Sequence, residues 1–263
     1  MKQCKTLALS LCMLLLLLAS CGKKEGEVTE QKQPETSQPQ AAQIDPATVA
    51  SVTGKVVFTG EKPKLSRLMM DQDPVCTQRH SSPVFAEDGA VNGDGTLPNV
   101  FVYVKEGADK YSFPTPAEAV ELDQDGCMYK PHVLGIQTNQ TLRILTKDPT
   151  THNIHPMPKD NREWNMSQPP GSAPLEQKFA RPEIMVPVKC NQHPWMRAYI
   201  GVTKNPFYAV TGTDGTFTIK GIPPGDYTLE AWTATFGIQE LKVTLAPKEA
   251  KSVEFTFKSP SGS

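Results

Sequence analysis

Two short segments of this sequence carry side chains that bind transition metals. One has the spacing Cys190-x₂-His193-x₂-Met196, and an earlier segment contains His152 and His155. A cysteine thiolate and a methionine thioether are soft ligands, and with two imidazoles they form the set that holds copper in mononuclear electron-transfer sites. A single loop can supply the thiolate, one imidazole and the thioether, so only the other histidine must come from a distant strand. The pattern predicts one mononuclear copper ion bound by Cys190, His193, Met196 and a histidine of the earlier segment, His152 or His155.

Several features of this site have alternatives at the level of the sequence. Zinc also accepts one cysteine and two histidines, although the thioether and the higher affinity of such sites favour copper. His155 lies in the same extended segment as His152 and competes with it for the metal. Met196 could fill the core as well as bind the ion, because methionine packs well in irregular spaces. A binuclear copper loop is excluded, because such a loop needs two cysteines and residues 189–196 contain only Cys190.

The segments that must position these residues have the pattern of β-strands. Short runs rich in Val, Ile, Phe and Tyr are separated by turns that contain Pro and Gly, and the 24 prolines disfavour long helices. Short strands with such turns are typical of sandwiches and Greek-key barrels. The sequence therefore predicts an all-β protein with strands at 50–60, 100–105, 133–146 (two strands), 184–189, 197–202, 217–219, 227–232, 241–245 and 252–257.

Residues 100–203 resemble the cupredoxins, the plastocyanin and azurin group, and in particular exported plastocyanin-like proteins of the methylamine-utilisation and carboxypeptidase-regulatory-like group. Residues 126–133, 190–196 and 205–211 carry the resemblance. It implies a cupredoxin-like Greek-key β-sandwich and a role in electron transfer rather than catalysis. By position, the resemblance implies that His152, Cys190, His193 and Met196 are the copper ligands, and His152 is preferred to His155 because Asn153 follows it. Asn153 matches the asparagine that links the histidine strand to the cysteine loop and fixes the ligands from outside the donor set. Only two residues separate His193 from Met196, fewer than in plastocyanins, so the resemblance leaves open whether Met196 is the axial ligand.

The C-terminal part, 205–258, resembles the carboxypeptidase regulatory-like domain, a small β-sandwich of the transthyretin type. Residues 213–217, 222–227 and 229–232 carry this resemblance, and their Asp-Gly and Pro-Pro-Gly-Asp sequences are turn signals. The domain organisation predicted is a copper domain at 50–204, this second sandwich at 205–258 and a tail at 259–263. The strand at 50–60 could belong to either sandwich. If it belongs to the C-terminal sandwich, the copper domain is inserted within the sequence of that sandwich.

Three cysteines lie beyond the N-terminal region, and an exported protein folds in an oxidising compartment. With Cys190 assigned to the metal, Cys76 and Cys127 remain to form a disulfide. The alternative pairs Cys190 with one of these two cysteines. A bond between Cys76 and Cys127 closes a long loop, which contributes about 4 kcal/mol of stability in the chain-entropy model.

The N-terminus has the features of a lipoprotein signal. Residues 1–20 have a basic start, an apolar run from Leu7 and a small-residue site just before Cys21. This resembles a lipobox, in which Cys21 becomes the acylated first residue, although an ordinary cleaved signal peptide is the alternative. Residues 21–49 are polar and lack aromatics, which predicts a disordered tether. The residue after the acylated cysteine directs the sorting of lipoproteins, and by resemblance to known sorting rules Gly22 favours the outer membrane, with the protein on its periplasmic side.

Composition restricts the function. Without Lys2 and Lys5 the chain carries 25 basic and 28 acidic residues, a formal charge of −3, and it has no basic stripe, so nucleic acid is not an expected partner. Hydrolase, metalloprotease and phosphate-loop motifs are absent from the sequence. The leading hypothesis is a membrane-anchored, non-enzymatic electron-transfer protein whose partner is a periplasmic redox protein such as a c-type cytochrome. Copper delivery and a metal-free structural or binding sandwich are the alternatives.

Overall fold

Residues 42–259, which the computed structural model describes, consist almost entirely of β-strands. The all-β prediction is therefore confirmed. The elements before residue 110 are β1 (Ala50–Thr59), a 3-10 turn (Met70–Gln72), α1 (Pro74–Gln78) and β2 (Phe101–Glu106). The next nine strands are β3 (Val120–Gln124), β4 (Tyr129–Lys130), β5 (Val133–Gln137), β6 (Leu142–Thr146), β7 (His152–Pro156), β8 (Met166–Gln168), β9 (Leu175–Gln177), β10 (Glu183–Lys189) and β11 (Arg197–Thr203). The last five are β12 (Tyr208–Val210), β13 (Thr216–Ile222), β14 (Gly225–Thr233), β15 (Gly237–Leu245) and β16 (Ala250–Lys258).

Strands from both ends of the described chain form one sandwich, which we call the terminal sandwich. One of its sheets has the order β13-β1-β16, and the other has the order β12-β2-β14-β15. Apolar side chains from both sheets, among them Val52, Phe58, Val102 and Leu229, are buried in a common core. In the first sheet β1 is central, because it pairs antiparallel with β13 and parallel with β16.

The strands β3 to β11 form a second sandwich, which we call the inserted sandwich. Its sheets have the orders β5-β11-β10-β7-β8 and β4-β3-β6-β9. The two sheets enclose a separate core that includes Leu122, Ile144, Ile154 and Ile200. In the first of these sheets β7 lies directly beside β10, so the end of one strand and the start of the other can present side chains to the same place.

The predicted copper domain at 50–204 differs from the described sandwiches at its N-terminal end, where the sequence analysis left the strand at 50–60 open between the two. Both β1 and β2 belong to the terminal sandwich, so the strands of the inserted sandwich begin at β3, and the 3-10 turn and α1 that precede β2 also pack on its core. The physical reason is visible in β2, whose residues 101–104 are all buried. Val102 and Val104 face the core of the terminal sandwich, whereas Phe101 and Tyr103 pack with Val133 of the inserted sandwich. A strand that is buried on both faces is one that two domains share.

The predicted tether at 21–49 is too long at its C-terminal end. The Ala42 N–H donates to the Lys110 carbonyl at 2.9 Å, and the Lys248 N–H donates to the Thr48 carbonyl at 3.0 Å, so residues 42–49 lie on the fold. The predicted signal peptide, Cys21 and the rest of the tether lie outside the described residues, as does the tail after residue 259. None of the helices in the described part of the chain has the length and hydrophobicity that a membrane span requires.

Two glycines allow the sandwiches to touch. Gly135 of β5 and Gly201 of β11 are paired neighbours, and the Phe101 ring lies against both. A Cβ atom at Gly201 would lie 2.5 Å from this ring, closer than atoms can pack. Gly201→Ala is therefore expected to lower the free energy of unfolding by about 1–3 kcal/mol, the usual cost of overpacking. Urea denaturation should detect the loss, and Gly93→Ala is the matched control because a Cβ there meets nothing within 4 Å. Equal stability of the two variants would contradict the prediction.

Candidate metal centre

The donor atoms of His152, Cys190 and His193 meet inside the inserted sandwich. One ligand atom from each residue lies within 4.8 Å of the other two. The Nδ1 atoms of the two imidazoles are 2.9 Å apart, and Cys190 Sγ lies 3.7 Å from His193 Nδ1. The three residues are only 0, 2 and 4% exposed, in chain order. The structure thus brings together three of the four side chains that the sequence assigned to the metal.

A tight loop between β10 and β11 carries two of these donors. Cys190 is the first residue after β10. The Met196 N–H donates to the His193 carbonyl at 2.9 Å, and the Cys190 N–H donates to the Met196 carbonyl at 3.3 Å, which closes the loop on itself. His152 is the first residue of β7, the strand beside β10. Two neighbouring strands of one sheet therefore hold all three donors.

Asn153 links the histidine strand to the cysteine loop. Its Oδ1 accepts a hydrogen bond from the Asn191 N–H at 2.7 Å and lies 3.4 Å from the Cys190 thiol. Its Nδ2 donates to Asn165 Oδ1 at 2.7 Å, which fixes the orientation of the amide. These are the contacts that the resemblance to cupredoxins implied for this residue. They hold the sulfur in place from outside the donor set.

Two carboxylates that the sequence analysis missed hold the far side of each imidazole. His152 Nε2 lies 2.9 Å from Asp148 Oδ2, and His193 Nε2 lies 3.0 Å from Asp73 Oδ2. Asp148 stands four residues before His152, and this proximity was a signal that could have identified it. Asp73 comes from the segment just before α1, and nothing in the sequence connects it with His193.

The orientation of the imidazoles creates a position for a cation. Because each Nε2–H donates to a carboxylate, the Nδ1 atom of each neutral ring presents its lone pair. Two lone pairs and a sulfur atom then face one another, and this arrangement is repulsive unless a proton or a metal ion lies among them. Two nitrogen ligands that share one ion at about 2.0 Å are at most about 4 Å apart, a limit that the 2.9 Å separation of the nitrogen atoms meets. The donor set fits a transition-metal ion.

The surroundings of Cys190 favour its thiolate form. Burial raises the pKa of the thiol, but hydrogen bonding to His152 and to the backbone outweighs burial and lowers the pKa to about 6. Burial lowers the pKa of His152, but the contacts with Asp148 and Cys190 outweigh it, so that this pKa is raised. When no metal is bound, both shifts favour a proton on His152 rather than on the Cys190 sulfur. The thiolate is the form that binds metals, and a bound ion would take the place of a proton.

The fourth predicted ligand, Met196, lies in the same loop. It is fully buried, and it belongs to the same core cluster as Cys190. Its neighbour Trp195 has its ring centroid 5.1 Å from that of His193 and donates from Nε1 to the Cys127 carbonyl at 3.1 Å. Trp195 therefore packs against one metal-binding ring. The role of the Met196 sulfur as an axial ligand stays a prediction.

His155 lies apart from the donor cluster. Its Nε2 is 2.6 Å from Glu163 Oε1, and its Nδ1 is 3.1 Å from Asn191 Oδ1. Both ring nitrogens therefore already have partners outside the site. The structure places His152, which the sequence analysis preferred to His155, beside Cys190.

The predicted disulfide between Cys76 and Cys127 is confirmed, with a Cα–Cα distance of 5.5 Å. Cys190 is the one free cysteine among residues 42–259, so the alternative pairing of Cys190 is wrong. The disulfide also lies next to the site. Cys76 Sγ is within 4.8 Å of ligand atoms of Asp73 and His193, and Cys127 Sγ is within the same distance of Asp148 and His152. The bond thus joins the two segments that carry the carboxylate contacts.

The site is covered on one side and approached by a cleft on the other. The 3-10 turn and α1 carry Asp73 and Cys76 over His193. The cleft has a volume of about 530 Å³ and includes Cys190 in its wall. Other residues that line it include Met157, Pro187, Lys189, Pro194, Arg197 and Tyr199. Of the three donors, Cys190 is the one that borders this cleft.

Comparisons with known proteins find partial likenesses to solved structures. No protein-family model matches the chain, and no curated protein matches it. The chain is similar to a Cu-containing nitrite reductase from Thermus scotoductus SA-01, with 17% identity and a TM-score of 0.31 over 57% of this chain and 28% of that one. It is similar to a Cu(I) form of an amicyanin mutant, with 19% identity and a TM-score of 0.28 over 32% and 81% of the two chains. It is also similar to a purple cupredoxin from Nitrosopumilus maritimus, with 20% identity and a TM-score of 0.27 over 32% and 98%. The chain therefore spans less than a third of the nitrite reductase.

Proposed function

We propose that the inserted sandwich is a cupredoxin-like domain that binds one copper ion and transfers electrons. The observation that carries the proposal is the meeting of two imidazole Nδ1 atoms and one thiolate in a site almost without solvent exposure. Such a set, with a weak thioether beside it, is characteristic of electron-transfer copper sites. Copper bound there would supply a one-electron couple between its +1 and +2 states.

The residues of the site keep the donor atoms in fixed positions and exclude water from them. His152 and His193 are fixed through their Nε2 atoms, and the cysteine loop is fixed by the hydrogen bond from the Asn191 N–H to Asn153, so the donors keep one arrangement. A rigid arrangement lowers the reorganisation that a change of charge would otherwise require. Because the three donors are buried, and Met196 is proposed as the fourth ligand, a substrate would have little access to the ion. This supports electron transfer rather than catalysis.

The surroundings of the site also support electron transfer over copper delivery. An ion held by residues that are at most 4% exposed exchanges slowly, whereas delivery needs ligands within reach of a partner. The cleft beside Cys190 offers a surface through which electrons can reach the thiolate, and Lys189 and Arg197 give it positive charge. The partner is a periplasmic redox protein such as a c-type cytochrome, and acylated Cys21 anchors the protein to the outer membrane.

The test is metal analysis of the purified full chain together with its visible and EPR spectra. One equivalent of copper and an intense thiolate-to-copper absorption in the oxidised form are expected. Zinc as the sole bound metal, or a chain that takes up no copper, would overturn the proposal. Competition with a chelator separates the two copper functions, because rapid loss of the ion would point to delivery.

A further inference from the structure

Each histidine of the donor set meets one carboxylate, and the two carboxylates come from different parts of the chain. Asp148 lies between β6 and β7, whereas Asp73 precedes α1 in the segment that covers the site. Neither aspartate belongs to the donor set, because each contacts the outer Nε2 atom rather than the inner Nδ1 atom. Both contacts are at hydrogen-bond distance, so each carboxylate accepts the Nε2–H of its histidine.

Asp148 is held as a buried anion. Its Oδ1 accepts a hydrogen bond from the Gly126 N–H, and its Oδ2 accepts one from the Cys127 N–H, each at 2.7 Å. Arg79 Nε lies 3.2 Å from Oδ1, and the aspartate itself is only 2% exposed. Two amide donors and a guanidinium favour the charged form of a buried carboxylate. This negative charge therefore has a fixed position behind His152.

Asp73 is held by a different set of partners. Its Oδ1 accepts a hydrogen bond from the Val75 N–H at 2.8 Å, which caps α1. Its Oδ2 accepts one from the Thr150 hydroxyl at 3.0 Å in addition to the contact with His193. The side chain is 21% exposed, so a substitution here disturbs the core less than one at Asp148. The Cys76–Cys127 disulfide ties this segment to the turn that holds Asp148.

We propose that Asp73 and Asp148 are positioning residues that select the imidazole tautomer and favour the divalent state of the bound ion. This inference rests on the proposed copper function. By accepting the Nε2–H, each carboxylate directs the lone pair of its ring, at Nδ1, toward the ion. Each also places a negative charge one imidazole away from the ion, which stabilises Cu(II) relative to Cu(I). The two aspartates thereby lower the reduction potential of the site.

Two substitutions at Asp73 separate these roles in the full chain. Asp73→Asn loses the negative charge but keeps one oxygen that can accept the Nε2–H. The amide nitrogen then takes the place of Oδ1, so the Val75 N–H at the start of α1 loses its acceptor. The ratio of Cu(II) to Cu(I) affinity is expected to fall about tenfold, which corresponds to a rise in potential of about 59 mV for one electron. Asp73→Ala removes the acceptor as well, and affinity for both ions is expected to fall about 10-fold or more. Asp71→Asn is the matched control, because Asp71 is an exposed carboxylate in the adjoining 3-10 turn.

NMR of the metal-free protein with ¹⁵N-labelled histidine gives a readout that does not depend on copper. His193 Nε2 is expected to carry a slowly exchanging proton in the natural chain and in Asp73→Asn, and to lose this protected signal in Asp73→Ala. An unprotonated Nε2 in the natural chain would overturn the positioning role. A Cu(II) to Cu(I) affinity ratio in Asp73→Asn equal to that of Asp71→Asn would overturn the electrostatic role. A natural chain that binds no copper would instead refute the proposed function, while the NMR result would still decide the hydrogen bond.

Discussion

A Cys190→Ser variant of the full chain is expected to lose its visible charge-transfer absorption and to bind copper more than about 100-fold more weakly. Loss of a residue that only supports a ligand costs about 10–100-fold in metal affinity, so loss of the ligand itself should cost more. Cys190 is the one thiol in the described residues, and its Sγ lies 3.7 Å from His193 Nδ1. A serine hydroxyl has almost the same shape, but it is a hard donor that stays protonated near neutral pH. Isothermal titration with Cu(I) and Cu(II) and the absorption spectrum measure the effect.

His155→Gln is the matched control for this experiment. His155 lies on the same strand as His152, but its ring nitrogens contact Glu163 and Asn191 rather than the donor cluster. We expect this variant to keep both the absorption and the affinity of the natural chain. If Cys190→Ser also kept them, with a circular dichroism spectrum that showed a folded protein, the assignment of the thiolate would be refuted.

The double variant Cys76→Ala/Cys127→Ala is expected to lower the free energy of unfolding by about 4 kcal/mol, because a crosslink across a loop of this length restricts the unfolded chain. The two cysteines are 51 residues apart in the sequence. The same bond holds α1, and with it Asp73, against the site. Urea denaturation of the metal-free chain measures the stability, and the rate at which a chelator removes copper measures the looser cover over His193.

Chemical reduction of the natural chain provides the control for the disulfide. The reduced protein should lose the same stability as the double alanine variant, since both lack the crosslink, and it retains both side chains. Thr77→Ala replaces an exposed residue of α1 next to Cys76, and it should leave most of the stability in place. A double variant as stable as the natural chain, with unchanged copper release, would show that the bond does not support the site.

Local patterns in the sequence were sufficient to identify three side chains that the structure brings together, His152, Cys190 and His193. Cys190 and His193 follow a strand of apolar and β-branched residues, and a short loop after a strand must keep such near neighbours together. His152 was preferred over His155 because Asn153 follows it, and Asn153 does contact the cysteine loop. The strand β7 itself was not predicted. Its buried side chains include His152 and Asn153, and polar residues in buried positions remove the alternation that marks a strand.

Contacts between distant parts of the chain could not be predicted in the same way. Asp73 and His193 are 120 residues apart, and the hydrogen bond between them depends on how the covering segment folds back over the site. The place of β1 depends on its pairing with β16, at the other end of the fold. A pattern of apolar residues shows that a strand is half-buried, but it does not identify the neighbours of that strand. Local patterns therefore could not show that the strands of the inserted sandwich begin at β3.

The position of β2 has a consequence for how this protein can be divided. Asp73 and Cys76, which lie beside the candidate site, precede β2 in the sequence, whereas His152, Cys190 and His193 follow β2. Two separate segments that leave the terminal sandwich thus meet at one candidate site, and the disulfide links them covalently. A fragment that runs from β3 to β11 would contain every proposed metal ligand, but it would lack the segment with Asp73 and Cys76 that covers His193. Both segments contribute to the candidate site. A fragment that keeps the whole site must therefore also include β2, which lies between them in the chain.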